Sequence, residues 1–200
     1  MNIKSEYIKL FPLGITVLPL DVIPLHIFED RYKKMVHECI NEKTEFGMVF
    51  NSNKNSFENI GCSVSIKKVH KQYKDGRYEI IVKGQKRFKI LSSKKIDDLW
   101  NSEISFIDEN YNEVDKKYFS RVHDKYLKLL ISMNKKNNFQ SELEKNISYD
   151  FTKNVLLPNQ IKQNLIKLRD ETKRLEYIDV LLDELLNNIE KNNSASFEIN

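Results

Sequence analysis

LFPLGITVLPLDVIPLHIFEDRYKKMV, Leu10 to Val36, contains three of the chain's four prolines and is mostly apolar up to Glu29. Pro12, Pro19 and Pro24 exclude a helix and favour extended backbone for themselves and for the residues before them. In extended chain, successive side chains face opposite ways. The surrounding Leu13, Ile15, Val17, Leu18, Leu20, Val22, Ile23 and Leu25 therefore cannot all enter one core. Either part of this ribbon stays at the surface as an apolar patch, or it threads between two layers and is buried on both sides. The grammar then changes at once. Phe28, Tyr32, Met35 with Val36, and Cys39 with Ile40 recur at helical spacing, while Lys33, Lys34, His37 and Glu38 take the opposite side.

Outward from this segment, the chain divides by its breakers. All five glycines lie at or before position 84, and beyond it the only strong breaker is Pro158. Residues 45–52, 60–69, 77–91 and 101–108 are short runs rich in β-branched and aromatic side chains, which predicts strands. Lys74-Asp75-Gly76-Arg77 predicts a hairpin with a type I′ turn. Gly84, inside a strand pattern, predicts a bulge or bend that helps a sheet to curl. Several such strands with one internal helix point to a small, partly closed barrel.

The second half reads as helical. Tyr118, Val122, Tyr126, Leu129, Leu130 and Met133 mark one helix, ended by the polar run 134–138. Phe139, Leu143, Ile147 and Phe151 mark a second, with Ser141 and Glu144 spaced as a capping box. Pro158 opens a third. Ile161, Leu168, Leu175, Leu182 and Ile189 then recur every seven residues, a seam that must pack on the chain's own helices or on a second copy. A monomer or a weak dimer follows.

Bulk composition sets limits. Two hundred residues, 40% hydrophobic, suffice for a substantial core. The net charge of +4 is small against 62 charged residues, so it permits an acidic or nucleic-acid partner without requiring one. Cys39 and Cys62 stand far apart with no CxxC pattern and read as buried, reduced thiols. No run reaches the roughly 18 apolar residues of a membrane span, and the first residues lack a signal-peptide core. A soluble, cytoplasmic chain with no membrane partner is expected.

Motifs for chemistry are missing. There is neither a phosphate-binding P-loop nor a dinucleotide GxGxxG. His26, His37, His70 and His123 never pair at metal-ligand spacing, and His26 reads as a packing or capping residue. Ser92-Ser93-Lys94-Lys95 supplies nucleophile and base types but sits at a strand exit, where a solvated turn explains it. No catalytic residue, metal or cofactor is assigned, and the chain reads as a binder. Beside the apolar ribbon, one other feature could bind. Lys67, Lys68, Lys71, Lys83, Lys86 and Arg87 come from two strands that the Asp-Gly turn sets side by side, with Tyr73 and Tyr78 interleaved. Such a patch could track phosphates, or its lysines could simply guard exposed strands against aggregation.

The ordered set of the opening ribbon, EFGMVF, IGCSVSI, DGRYEIIVKGQKRFKI and LLPNQIKQNLIKLRDETKRLEYIDVLLDEL resembles the amino-terminal, substrate-binding domain of the Lon protease family, in its stand-alone bacterial version. The resemblance runs from about Tyr7 to Leu186. It includes a proline-opened helix with a K-Q-x-L-x-x-L run and a later R-L. It implies an α+β fold: a PUA-like, partly closed β-barrel with one internal helix over residues 1–112, an α-helical bundle over 113–192, and a flexible tail over 193–200. The opening ribbon becomes a non-regular seam crossing the barrel. The implied role is recognition of unfolded or apolar polypeptide, with a separate protease as the destination of the clients. RNA is the alternative partner, because PUA-like barrels also serve it. The ATPase and serine–lysine protease segments of full-length Lon have no counterpart in these 200 residues. Two positions depart from the family pattern: Leu20 stands where glycine is usual, and Asp30 where proline is common. Glu29 and Arg31 keep the pattern and read as ion-pairing groups that tie the helix to the barrel.

Overall fold

The computed structural model describes residues 5–51, 56–109, 111, 114–133 and 139–197. In chain order the elements are β1 (Glu6–Leu13), β2 (Val22–Ile27), α1 (Asp30–Glu42), β3 (Phe46–Phe50), β4 (Ile60–Gln72), β5 (Tyr78–Ile96) and β6 (Leu99–Phe106). The helices α2 (Lys116–Ser132), α3 (Phe139–Leu143), a 3-10 turn (Ser148–Thr152), α4 (Asn159–Lys167) and α5 (Glu171–Phe197) follow. The expected α+β architecture is present. The chain divides into two units, 1–108 with 157–167, and 109–156 with 168–200.

In the first unit the strand order is β2-β5-β4-β3-β1-β6, and the far half of the long β5 also pairs with β6. The sheet thus turns back on itself as a partly closed sheet rather than a complete barrel. Leu10, Val49, Phe88 and Ile104 form one buried cluster inside it. Each such side chain contributes about 1.5–3 kcal/mol by leaving water. Helix α1 buries Tyr32, Met35, Val36 and Cys39, and Phe11 of β1 meets Tyr32 edge-on at 4.3 Å. Phe28 does not join that buried face; it precedes the helix and is 61% exposed.

The opening ribbon is more regular than the expected seam. β1 runs parallel to β3 and antiparallel to β6, and β2 runs antiparallel to β5. Pro24 is tolerated because β2 is the last strand of the order, and Pro12 because the β6 ladder ends at Leu10. Only residues 14–21 leave the sheet, and α4 and Gly84 of β5 supply partners to them. Asn159 Oδ1 accepts from the Thr16 amide at 3.1 Å, and Asn159 Nδ2 donates to the Gly14 carbonyl at 2.9 Å. Gln163 Nε2 donates to Thr16 Oγ1 at 2.6 Å, and Lys162 Nζ to the Asp21 carboxylate at 2.7 Å. Arg87, fully buried, donates to the Ile166 carbonyl at 2.6 Å in the last turn of α4, where a cation also suits the helix dipole.

The turns differ in detail from the expected ones. The β4–β5 hairpin forms, but only Gly76 has positive φ (83°), with its amide donating to the Tyr73 carbonyl. A type I turn followed by a left-handed glycine fits this better than type I′. The mirror-image turn occurs instead at Asp97-Asp98 between β5 and β6, with φ of 48° and 62°. Arg31 donates to Asp98 at 2.8 Å and also pairs with Glu29, so the expected ion-pairing group ties α1 to that hairpin.

Leu18-Pro19-Leu20-Asp21 is a type II turn: the Asp21 amide donates to the Leu18 carbonyl at 3.1 Å and Leu20 has φ 71°. A left-handed leucine is strained by about 1–2 kcal/mol, which is why glycine suits this position. Leu20→Gly is expected to be more stable than Leu20→Ala by about 1 kcal/mol in urea unfolding, the reverse of the usual order. Equal midpoints for the two variants would show that the turn carries no strain.

In the second unit, Asp115 caps α2, accepting from the Lys117 amide at 2.8 Å. Val122, Tyr126, Leu129 and Leu130 of α2, and Leu175, Ile178 and Leu182 of α5, are buried. One expectation fails here. Residues 139–151 do not form one helix: α3 stops at Leu143 and a 3-10 turn follows, with the Asp150 carboxylate accepting from the Asn146 and Ile147 amides. The seven-residue repeat falls on a pair of helices, α4 and α5, rather than on one, and Asp170 starts the second by accepting from the Lys173 amide at 2.9 Å. The run 134–138 lies outside the described residues. So do 198–200 of the expected tail, while α5 continues to Phe197.

Candidate binding face

Strands β2, β5 and β4 present one outward face whose composition follows from their register. Val22 stands opposite Lys83 and Ser65, Pro24 opposite Ile81 and Lys68, and His26 opposite Glu79 and Lys71. Their neighbours Leu25, Ile27, Ile80 and Val82 point inward and are buried. Val22 is 51% exposed, and Pro24 and His26 are exposed as well. Phe28 extends the row and stacks on His26 at 5.8 Å, and Tyr73 meets the same imidazole edge-on. The Tyr73 ring carries Lys71 Nζ at 4.5 Å and the Arg77 guanidinium at 4.8 Å. Glu79 is contacted by His26 Nδ1 at 2.6 Å. Apolar and aromatic groups therefore line the β2 side and cations the β4 side. A pair formed with the glutamate explains His26 better than the expected packing or capping role.

The sequence-predicted residues fall into several places. Of the apolar set, Val17 and Leu18 are buried, and Leu13, Ile15, Leu20 and Ile23 are half-buried. Only Val22 lies on the exposed face. Of the basic set, Lys68, Lys71 and Lys83 share that face, while Lys67 sits at a bulge between paired positions. Lys86 lies past a second irregularity, over the Phe106 ring at 5.6 Å. Arg87 is sealed under α4 and leaves the patch altogether. The reason is the register shift after Gly84: two residues of β5 stand against one of β4, which resets the in–out alternation. Pro24, His26, Phe28 and Ile81 were missed, although period-two alternation from Val22 would have placed the first three together.

Two further hollows among the described residues hold no assembled chemistry. One of about 420 Å³ is lined by Glu6, Tyr7, Glu45, Lys86 and Phe106. Another of about 480 Å³ in the second unit includes Ser132, whose hydroxyl donates to the Lys128 carbonyl, and Lys125, which is held by Asp179 and Asp183. Burial pushes the Cys39 and Cys62 thiols up, away from the reactive thiolate. Among the described residues no three metal-ligating side chains gather, and no helix is long and apolar enough to cross a membrane.

The sequence pattern of the ATP-dependent protease La (LON) substrate-binding domain matches residues 7–184. The fold superposes with a TM-score of 0.69 on the crystal structure of a Lon N-terminal domain protein from Xanthomonas campestris. The two are 22% identical over 86% of this chain and 95% of that one. The N-terminal domain of a Mycobacterium avium complex Lon protease gives a TM-score of 0.67 at 16% identity, over 89% and 98% of the two chains. These likenesses establish the fold.

Proposed function

The chain belongs to the ATP-dependent protease La (LON) substrate-binding domain family, and from that premise we propose that it is a non-catalytic module that captures extended or unfolded polypeptide and hands it to a separate protease. The observation that carries this reading is the exposed face of β2, β5 and β4, where Val22, Pro24 and Phe28 stand in a row in water. Burying such side chains against a client gives roughly 25 cal/mol per Å² before ordering costs. Leu13, Ile15, Leu20 and Ile23 contribute at their exposed edges, and Val17 and Leu18 support the turn beneath.

Association of this kind survives salt, whereas phosphate tracking by the lysines would not. Binding of a permanently unfolded, labelled protein of near-zero net charge should therefore change little between low and high salt. Val22→Asp with Phe28→Asp should weaken it by about tenfold or more, since each side chain contributes about 1.5–3 kcal/mol when buried. If instead only a structured RNA bound, and only at low salt, the chain would be an RNA-binding protein.

A further inference from the structure

The geometry points to a specific client chemistry for this face: extended polypeptide in which apolar or aromatic residues alternate with acidic ones. This rests on the polypeptide-binding reading above and deepens it. The apolar row on β2 and the cationic row on β4 run parallel, with β5 between them. Neighbouring strands lie about 4.8 Å apart, so the two rows are separated by about 10 Å. A chain lying extended over β5 sends successive side chains to opposite sides, toward the two rows. Those on one side meet Val22, Pro24 and Phe28. Those on the other meet Lys68 and Lys71, both exposed, with Lys83 on the central strand.

The charges on the face itself leave Lys68 open to a partner, whereas Lys71 stands opposite Glu79 in the ladder with its ammonium over the Tyr73 ring. Glu79 is the acidic residue of the paired rows, and its nearest contact is His26 at 2.6 Å, on the apolar side. Arg77, at the end of the rows, is taken by Asp75 at 2.8 Å. No carboxylate lies opposite Lys68, whose partner in the ladder is Ile81. A basic client would meet like charge along the β4 side, and a neutral one would leave the lysines without a partner. Exposed ion pairs add modest affinity but select the partner and its register.

The test compares labelled peptides in which Phe and Leu alternate with Glu, with Gln or with Lys, by fluorescence anisotropy against the full chain. The Glu peptide should bind about tenfold more tightly than the Gln peptide at low salt, with the gap closing as salt rises. Lys68→Glu with Lys71→Glu should remove that preference, and an unchanged circular dichroism spectrum and urea midpoint check that the variant is folded. Equal affinity for Glu and Gln peptides in the native chain, with both weakened by Phe28→Asp, would overturn the acidic preference and leave polypeptide capture standing. Binding of none of the peptides, or their displacement by a structured RNA at low salt, would overturn both.

Discussion

Replacing Arg174 by alanine is expected to lower stability by about 3–5 kcal/mol, enough to unfold the second unit at modest urea concentrations. The side chain is fully buried, and its guanidinium is used on every side. Nε donates to Glu171 at 3.0 Å, Nη1 to the carbonyls of Leu168 and Arg169 at 2.6 and 3.0 Å, and Nη2 to Glu109 at 2.7 Å. The ring of Tyr149 lies 4.9 Å from the guanidinium carbon. Burial opposes the charge, but Tyr149, Glu109 and Glu171 more than offset it and hold the group above its ordinary pKa. Glu171, itself 3% exposed, also accepts from the Ser148 amide and hydroxyl, so the arginine joins the start of α5 to the 3-10 turn. Truncation leaves a buried carboxylate and two carbonyls without their donor, and that penalty exceeds the value of the pair itself. Arg174→Lys should recover little, because one ammonium cannot span four acceptors arranged around a planar fork. Circular dichroism through a urea titration gives the number; a loss below about 1 kcal/mol would show that the network is dispensable.

Arg174 also shows what the sequence made legible and what it did not. The family pattern singles out Lys162, Gln163, Leu165 and the Arg174-Leu175 pair, and each has a specific job: a bond to Asp21, a bond to Thr16, two core positions and the buried hub. None of those jobs could be read locally, because Lys162 and Gln163 reach residues more than 140 positions away. Strands and the β4–β5 hairpin were legible, since alternation and turn chemistry are short-range signals. The bulge after Gly84 was legible as an event but not in its consequence, which was to turn Arg87 from a surface cation into a buried cap for α4. The leucine seam left one helix or a broken pair open, because a seven-residue repeat records spacing alone and runs on through the break at Asp170. On the candidate face Val22, Tyr73 and three lysines were foreseen. The ribbon reads from sequence as an extended, non-regular seam, yet Pro24 sits in a regular strand, because at a sheet's last strand it merely lacks a donor that no partner needs.

Gly84→Ala should be the most damaging single methyl group in the first unit, at about 3–5 kcal/mol. A Cβ at this position would lie 2.2 Å from the Leu18 carbonyl oxygen and 3.3 Å from the Val17 side chain. The neighbour it meets is backbone, held in place from several directions. The Leu18 carbonyl accepts from the Asp21 amide, the Gly84 carbonyl accepts from the Leu20 amide at 3.0 Å, and the Gly84 amide donates to the Asp21 carbonyl at 2.9 Å. Asp21 in turn accepts from the Leu18 amide and from Lys162. The methyl group must therefore push the whole type II turn off β5, and the turn delivers the chain into β2. Losing it should reduce client binding as well as stability, because Val22 begins the apolar row immediately after Asp21. Gly14→Ala is the matched control: its Cβ would meet nothing closer than an oxygen at 3.9 Å, so its urea midpoint should stay within about 0.5 kcal/mol of the native chain. If Gly84→Ala unfolded no earlier than Gly14→Ala, the turn would not be clamped to β5, and the base on which the binding face is built would have to lie elsewhere.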